Sequence, residues 1–152
     1  MKIILSMLAV LTCLYSSTCM AQADIGMRLF EAVIDGKSAD VGYWLQHGAD
    51  PNARDIAGAT PLFYAGKTGD KTMIEILLVG GADPNKKSRY MGYTPLMTAA
   101  VFGDVEMVKV LLSHGASVNA RNDDGHTVLT LVEDTPNKPA MVRFLKEHGA
   151  TK

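Results

Sequence analysis

Residues 91–120 read MGYTPLMTAAVFGDVEMVKVLLSHGASVNA, and the fold follows from this stretch. Thr94-Pro95-Leu96 is a helix start: a threonine side chain can cap exposed amides, and proline is tolerated in a first turn. Leu96 and Ala99 share one face at helical spacing, and Gly103 marks the end, where a residue without Cβ takes a left-handed turn. Asp104 is then placed to cap a second helix carrying Val108-Lys109-Val110-Leu111-Leu112, which stops at Gly115. Val118-Asn119 leads out into an extended loop.

The same pattern recurs on both sides. Gly48-Ala49-Asp50, Gly81-Ala82-Asp83, Gly115-Ala116-Ser117 and Gly149-Ala150-Thr151 are separated by 33, 34 and 34 residues. Thr60-Pro61-Leu62, Thr94-Pro95-Leu96 and Thr127-Val128-Leu129 precede their Gly-Ala partners by 21, 21 and 22 residues. A weaker first copy is Met27-Arg28-Leu29. In the preceding unit Leu62 and Ala65 repeat the apolar face, Gly69 the stop, Asp70 the cap, and Ile74 to Leu78 the second helix. Loops are expected to turn at Gly58, Gly92 and Gly125. The chain thus divides into units of about 24–54, 55–87, 88–121 and 122–152.

These strings, DIAGATPLFYA, MGYTPLMTAA, EILLVGGADPN and VKVLLSHGASVNA, resemble the ankyrin-repeat family over essentially all of residues 24–152. The resemblance implies an all-α repeat solenoid of four stacked ankyrin repeats, each a helix-turn-helix with a β-hairpin loop projecting from one edge. The physics agrees, because one such unit cannot bury its own apolar face and must stack on its neighbours. The first unit lacks Thr-Pro and has Trp44-Leu45 where later units have paired leucines. In the fourth, Lys146 replaces the second leucine and Asp134-Thr135-Pro136-Asn137 replaces the glycine turn. Polar substitutions of this kind suit terminal capping repeats, so four repeats are expected to form the whole array. The additional residue of the fourth unit is expected around Pro136–Pro139.

Residues 1–23, MKIILSMLAVLTCLYSSTCMAQA, have the layout of a secretory signal peptide: Lys2, a short apolar run, and the small-x-small triplet Ala21-Gln22-Ala23. The run is shorter than the ~20 residues a membrane-spanning helix needs, so cleavage is expected rather than retention. Thr12 and Thr18 stand where a lipoprotein signal has a small residue before its cysteine. Cleavage after Ala23 leaves 129 residues, the 152 less the leader, and removes both cysteines, Cys13 and Cys19. A thiol-free product has no disulfide, thiolate ligand or cysteine nucleophile, and suits an oxidising compartment. A short leader with one lysine makes the bacterial periplasm the expected location, with secretion as the alternative.

The chain has 15 Lys+Arg against 16 Asp+Glu, a formal charge of −1, and 47 % hydrophobic residues. It therefore lacks the broad basic field of a nucleic-acid-binding protein and is too apolar to be disordered. His47, His114 and His148 hold one place in three units, just before the glycine that ends the second helix, where a cation is favourable. They lie one repeat apart, too far to share a metal. Asp123-Asp124 and Glu133-Asp134 are not paired across a cleft, and with Asn122 the former lack the spaced ligands of a calcium loop. No nucleophile-elbow, zinc-protease or phosphate-loop motif occurs. An enzyme, a cofactor and a metal are not expected.

Recognition remains. The resemblance implies that partners meet the hairpin tips and the exposed side of the first helices. These positions are Ile56, Ala57, Ala59, Lys67 and Thr68 in the second unit, and Tyr90, Met91, Tyr93, Val101 and Phe102 in the third. In the fourth they are Asp123, Asp124, His126, Asp134 and Thr135. The third unit groups aromatic and methionine side chains of the kind that anchor interfaces. Tyr93 and Phe102 can alternatively pack on neighbouring hairpins, and Tyr90 can cover the extra residue of Lys86–Met91. Arg54, Lys86, Lys87, Arg89 and Arg121 line the hairpin bases, giving a basic-to-acidic gradient toward Asp123 and Asp124. The expected function is a non-enzymatic periplasmic protein, monomeric when free, that binds and inhibits or shelters an enzyme such as a cell-wall hydrolase or toxin. The alternative is a scaffold or stress-protection factor for a periplasmic redox enzyme such as catalase. Neither nucleic acid nor, after cleavage, a membrane is an expected partner.

Overall fold

The computed structural model describes residues 24–89, 91–133 and 138–152. The expected leader and the loop Asp134–Asn137 lie outside the described residues, as does Tyr90, so only Lys138 and Pro139 of the span expected to hold the fourth unit's additional residue are described. Among the described residues eight helices follow in pairs: α1 over 24–34 and α2 Ser38–Gln46; α3 Pro61–Thr68 and α4 Lys71–Val79; α5 Pro95–Phe102 and α6 Val105–Ser113; α7 Val128–Glu133 and α8 Pro139–Glu147.

Helix starts fall where capping chemistry puts them. The hydroxyls of Thr60 and Thr94 accept from the amides of Phe63 and Met97, each at 3.2 Å, with proline next in the chain. The carboxylates of Asp70 and Asp104 accept from Met73 and Met107 at 3.1 and 3.0 Å. Gly69 and Gly103 then close α3 and α5 at φ of 75° and 87°, a left-handed conformation that costs an L residue about 1–2 kcal/mol.

Stacking buries what each pair alone would expose. First helices pack in one row, α3 on α5 on α7, and second helices in another, α2 on α4 on α6. Leu29, Leu62, Leu96 and Leu129 take the same place in successive units, none more than 3 % exposed. Met73, Met107 and Met141 form a second buried row. Truncating one such leucine or methionine to alanine costs about 2–5 kcal/mol. Helix α5, with a neighbour on either side, is buried from Pro95 to Ala100, and α3 packs against it so that a Cβ on Gly66 would be in ordinary contact with Thr98 at 3.5 Å. In the last repeat, α8 buries only Met141 and Leu145, and Lys146 turns outward to Glu133 at 3.3 Å.

The seams are also stitched by asparagines. Asn52 donates from Nδ2 to Gly81 O at 2.8 Å while its Oδ1 accepts from Asp83 N at 2.8 Å. Asn119 joins Gly149 O and Thr151 N in the same way, at 3.0 and 2.8 Å. Each side chain thus replaces two missing backbone partners in the loop of the next repeat.

The loops differ from the expected β-hairpins. Among the described residues they contain no strand, only tight turns at Gly58, Gly92 and Gly125 and one isolated antiparallel bridge, Arg121 to Thr127. Their closing bonds are few: Asp55 N to Ala59 O, Ser88 N to Tyr93 O, and Asn122 N to His126 O, at 3.0, 2.9 and 2.9 Å. Adjacent turns also lean on one another. Arg89 N donates to Gly58 O, and the Arg89 side chain lies where a Cβ on Gly58 would be; Asp123 covers Gly92 likewise.

Candidate interaction surface

The third turn and the exposed side of α3 and α5 meet at one groove. In α3, Phe63 and Lys67 stand one turn apart, and Lys67 Nζ sits 4.8 Å from the centroid of the Phe63 ring and 5.6 Å from that of Tyr64. The Tyr64 hydroxyl donates to Asp55 Oδ2 at 2.6 Å, which fixes the ring; this bond, then burial, raises the phenol pKa. In α5, Val101 and Phe102 end the helix beside the Gly103 turn. The third turn carries one residue more than the second, and Met91 absorbs it at φ 58°, the one non-glycine described residue in the left-handed region.

Together Phe63, Lys67, Met91, Tyr93, Thr98, Val101 and Phe102 line a groove of about 260 Å³. Phe102 is 60 % exposed and Met91 41 %, so this is an apolar surface in water and not part of the core. Thr98 spends its hydroxyl on Thr94 O at 3.2 Å, leaving Lys67 as the charged group of the lining.

Of the residues expected from the sequence, Lys67, Met91, Tyr93, Val101 and Phe102 converge on this groove. Tyr93 differs from expectation in being half-buried against the core. Ile56 is fully exposed at the second turn, outside the groove lining. Asp123, Asp124 and His126 are exposed on the fourth turn and do not line the groove either. Ala59, expected at the surface, is 3 % exposed, because its place just before the Thr60 cap turns it inward. Tyr90, Asp134 and Thr135 lie outside the described residues. Phe63 and Thr98 were not anticipated; the signal was the four-residue spacing of Phe63 from Lys67.

The arginines of the expected gradient are partly committed to the scaffold. Arg54 donates to Gly58 O and Lys87 O at 2.6 and 2.7 Å, and Arg121 to Gly125 O and Lys152 O at 2.6 and 3.1 Å. Asn122, suggested with Asp123 and Asp124 by the acidic turn, instead accepts from Asp124 N and His126 N. The histidines also bond and stack at the helix ends. Nδ1 of His47, His114 and His148 lies 2.7, 3.0 and 2.8 Å from the carbonyl oxygen four residues back, and the rings of His47 and His148 lie over Tyr43 and Phe144. Among the described residues no three His, Cys, Asp or Glu side chains converge as a metal site, and no helix is long and apolar enough to cross a membrane.

A stack of paired helices with an open apolar groove, closed on one side by the third turn, defines a repeat scaffold for binding other macromolecules. The chain belongs to the ankyrin-repeat family: the family model for ankyrin repeats (3 copies) matches residues 29–122 and again 68–152. Ankyrin arrays are generally non-enzymatic protein–protein interaction modules. No curated protein matches the chain.

Proposed function

We propose that this is an exported binding protein of the periplasm that captures an enzyme, such as a cell-wall hydrolase or a toxin, and inhibits or shelters it. The observation that carries the reading is the groove of Met91, Tyr93, Val101 and Phe102, an apolar patch exposed beside the turn tips. The signal-like residues 1–23 support export, and membership of the ankyrin-repeat family supports a protein partner. Binding across such a face can cover a catalytic cleft without any chemistry of its own.

Affinity capture from periplasmic extract, with mass spectrometry of what is held, tests this. The expected result is one enzyme retained by the wild type and lost from Phe102→Asp, with its activity lowered in the complex or its inactivation slowed. Equal capture by both proteins removes the groove from the binding face. Finding the full-length chain, leader uncleaved, in the cytoplasm removes the compartment.

A further inference from the structure

We infer that the groove accepts an apolar or aromatic side chain from an acidic segment of its protein partner; this rests on the binding function proposed above. At about 260 Å³ the groove lies below the ~300–1,000 Å³ of small-molecule pockets, and its size fits a single anchoring side chain. Its one charged lining residue is cationic. Lys67 Nζ is held over Phe63 and Tyr64, and among the described residues it makes no ion pair. An ammonium over aromatic faces keeps its outer hydrogens free, so a carboxylate can pair with it while the rings stay in place.

Where Arg89 lies over the second turn, the edge carries an excess of the same sign. Lys86, Lys87 and Arg89 likewise make no ion pair among the described residues, and Arg54 is bonded to carbonyl oxygens, which leave its charge uncancelled. The nearby Asp55 accepts from the Tyr64 hydroxyl and the Ala59 amide, neutral donors that leave its one negative charge in place against the four cations. Asp123 lies over Gly92 beside the groove-lining Met91, whose carbonyl oxygen accepts from its amide at 3.1 Å, so an acidic segment enters from the second turn, where Arg89 covers Gly58, and stops short of the fourth. Complementarity of this kind selects a partner and sets its direction more than it adds affinity.

Short synthetic peptides bound to the full exported protein test the inference by fluorescence anisotropy. One carries a phenylalanine flanked by glutamates, a second the same phenylalanine flanked by lysines, and a third alanine flanked by glutamates. Only the first is expected to bind, and Lys67→Glu is expected to weaken it about tenfold with an unchanged thermal midpoint. Equal or better binding of the lysine peptide, equal binding of the alanine peptide, or no binding at millimolar concentration overturns the inference. The two readings separate in the capture experiment. A partner lost from Phe102→Asp but fully retained by Lys67→Glu keeps the binding face and discards the acidic segment.

Discussion

Asn85 reaches across a repeat seam to Gly115, donating from Nδ2 to its carbonyl oxygen at 2.9 Å. The same side chain accepts from Ser117 N at 2.7 Å, so one exposed amide fastens both ends of the neighbouring Gly-Ala-Ser loop. Replacing Asn85 by alanine removes both bonds. Because water reaches the site, the expected cost is about 1 kcal/mol, below that of two buried bonds. Urea unfolding should also show a smaller slope, since repeats coupled less tightly no longer unfold as one. An unchanged midpoint and slope would show that the loop holds without its neighbour.

Asp70 joins two repeats in a different way. It caps α4 through Met73 N, and its second carboxylate oxygen accepts from Ser38 Oγ at the start of α2. The Ser38 hydrogen bond is the main reason its pKa is lowered, with the α4 amides adding to it against partial burial. A depressed carboxylate stabilises the fold above its unfolded pKa and loses that contribution as pH falls through the folded value. Asp70→Ala should therefore cost about 1 kcal/mol at neutral pH, with the gap closing in acid below the ordinary carboxylate range. Thermal melts of both proteins across that interval measure it.

Gly92 and Gly125 separate backbone strain from crowding. Both have positive φ, 63° and 80°, but a Cβ on Gly92 would lie 2.2 Å from Asp123 Oδ1, whereas one on Gly125 meets nothing within 4 Å. Gly125→Ala is expected to cost about 1–2 kcal/mol from conformation alone. Gly92→Ala should cost more and shift the amide resonances of Asp123 and Asp124. Equal costs would mean that the third and fourth turns move independently.

Phe102 and Tyr93 share the groove but not the core. Phe102→Ala should alter stability by no more than about 0.5 kcal/mol, as for other exposed positions. Tyr93→Ala should cost clearly more, because that ring is half-buried against the core. Chemical denaturation of the two variants distinguishes a binding aromatic from a packing one.

The helix boundaries were legible because threonine, aspartate and glycine act locally: Thr94 caps the amide three residues on, and Gly103 ends the same helix. The asparagine seam was written at the same period, at Asn52, Asn85 and Asn119, yet its partners lie about thirty residues away and local chemistry does not point to them. The groove was half legible. Lys67, Val101 and Phe102 follow from helical phase, while the inward turn of Ala59 and the half-burial of Tyr93 depend on turns too short to read as hairpins. Met91 shows why: the extra residue is visible as a spacing of 34 instead of 33, but which residue takes the left-handed conformation is decided by the fold.

The seating of Arg89 over Gly58 and of Asp123 over Gly92 has an evolutionary corollary. A tip residue that meets a docked partner, as proposed above, would also serve as the lid of the turn before it. Specificity is then inherited in adjoining pairs, and a swap at one fingertip that suits a new target must first be tolerated by its neighbour. Diversification along this edge should proceed by coupled steps, with single tip changes confined to the outward-facing Ile56 and Asp124.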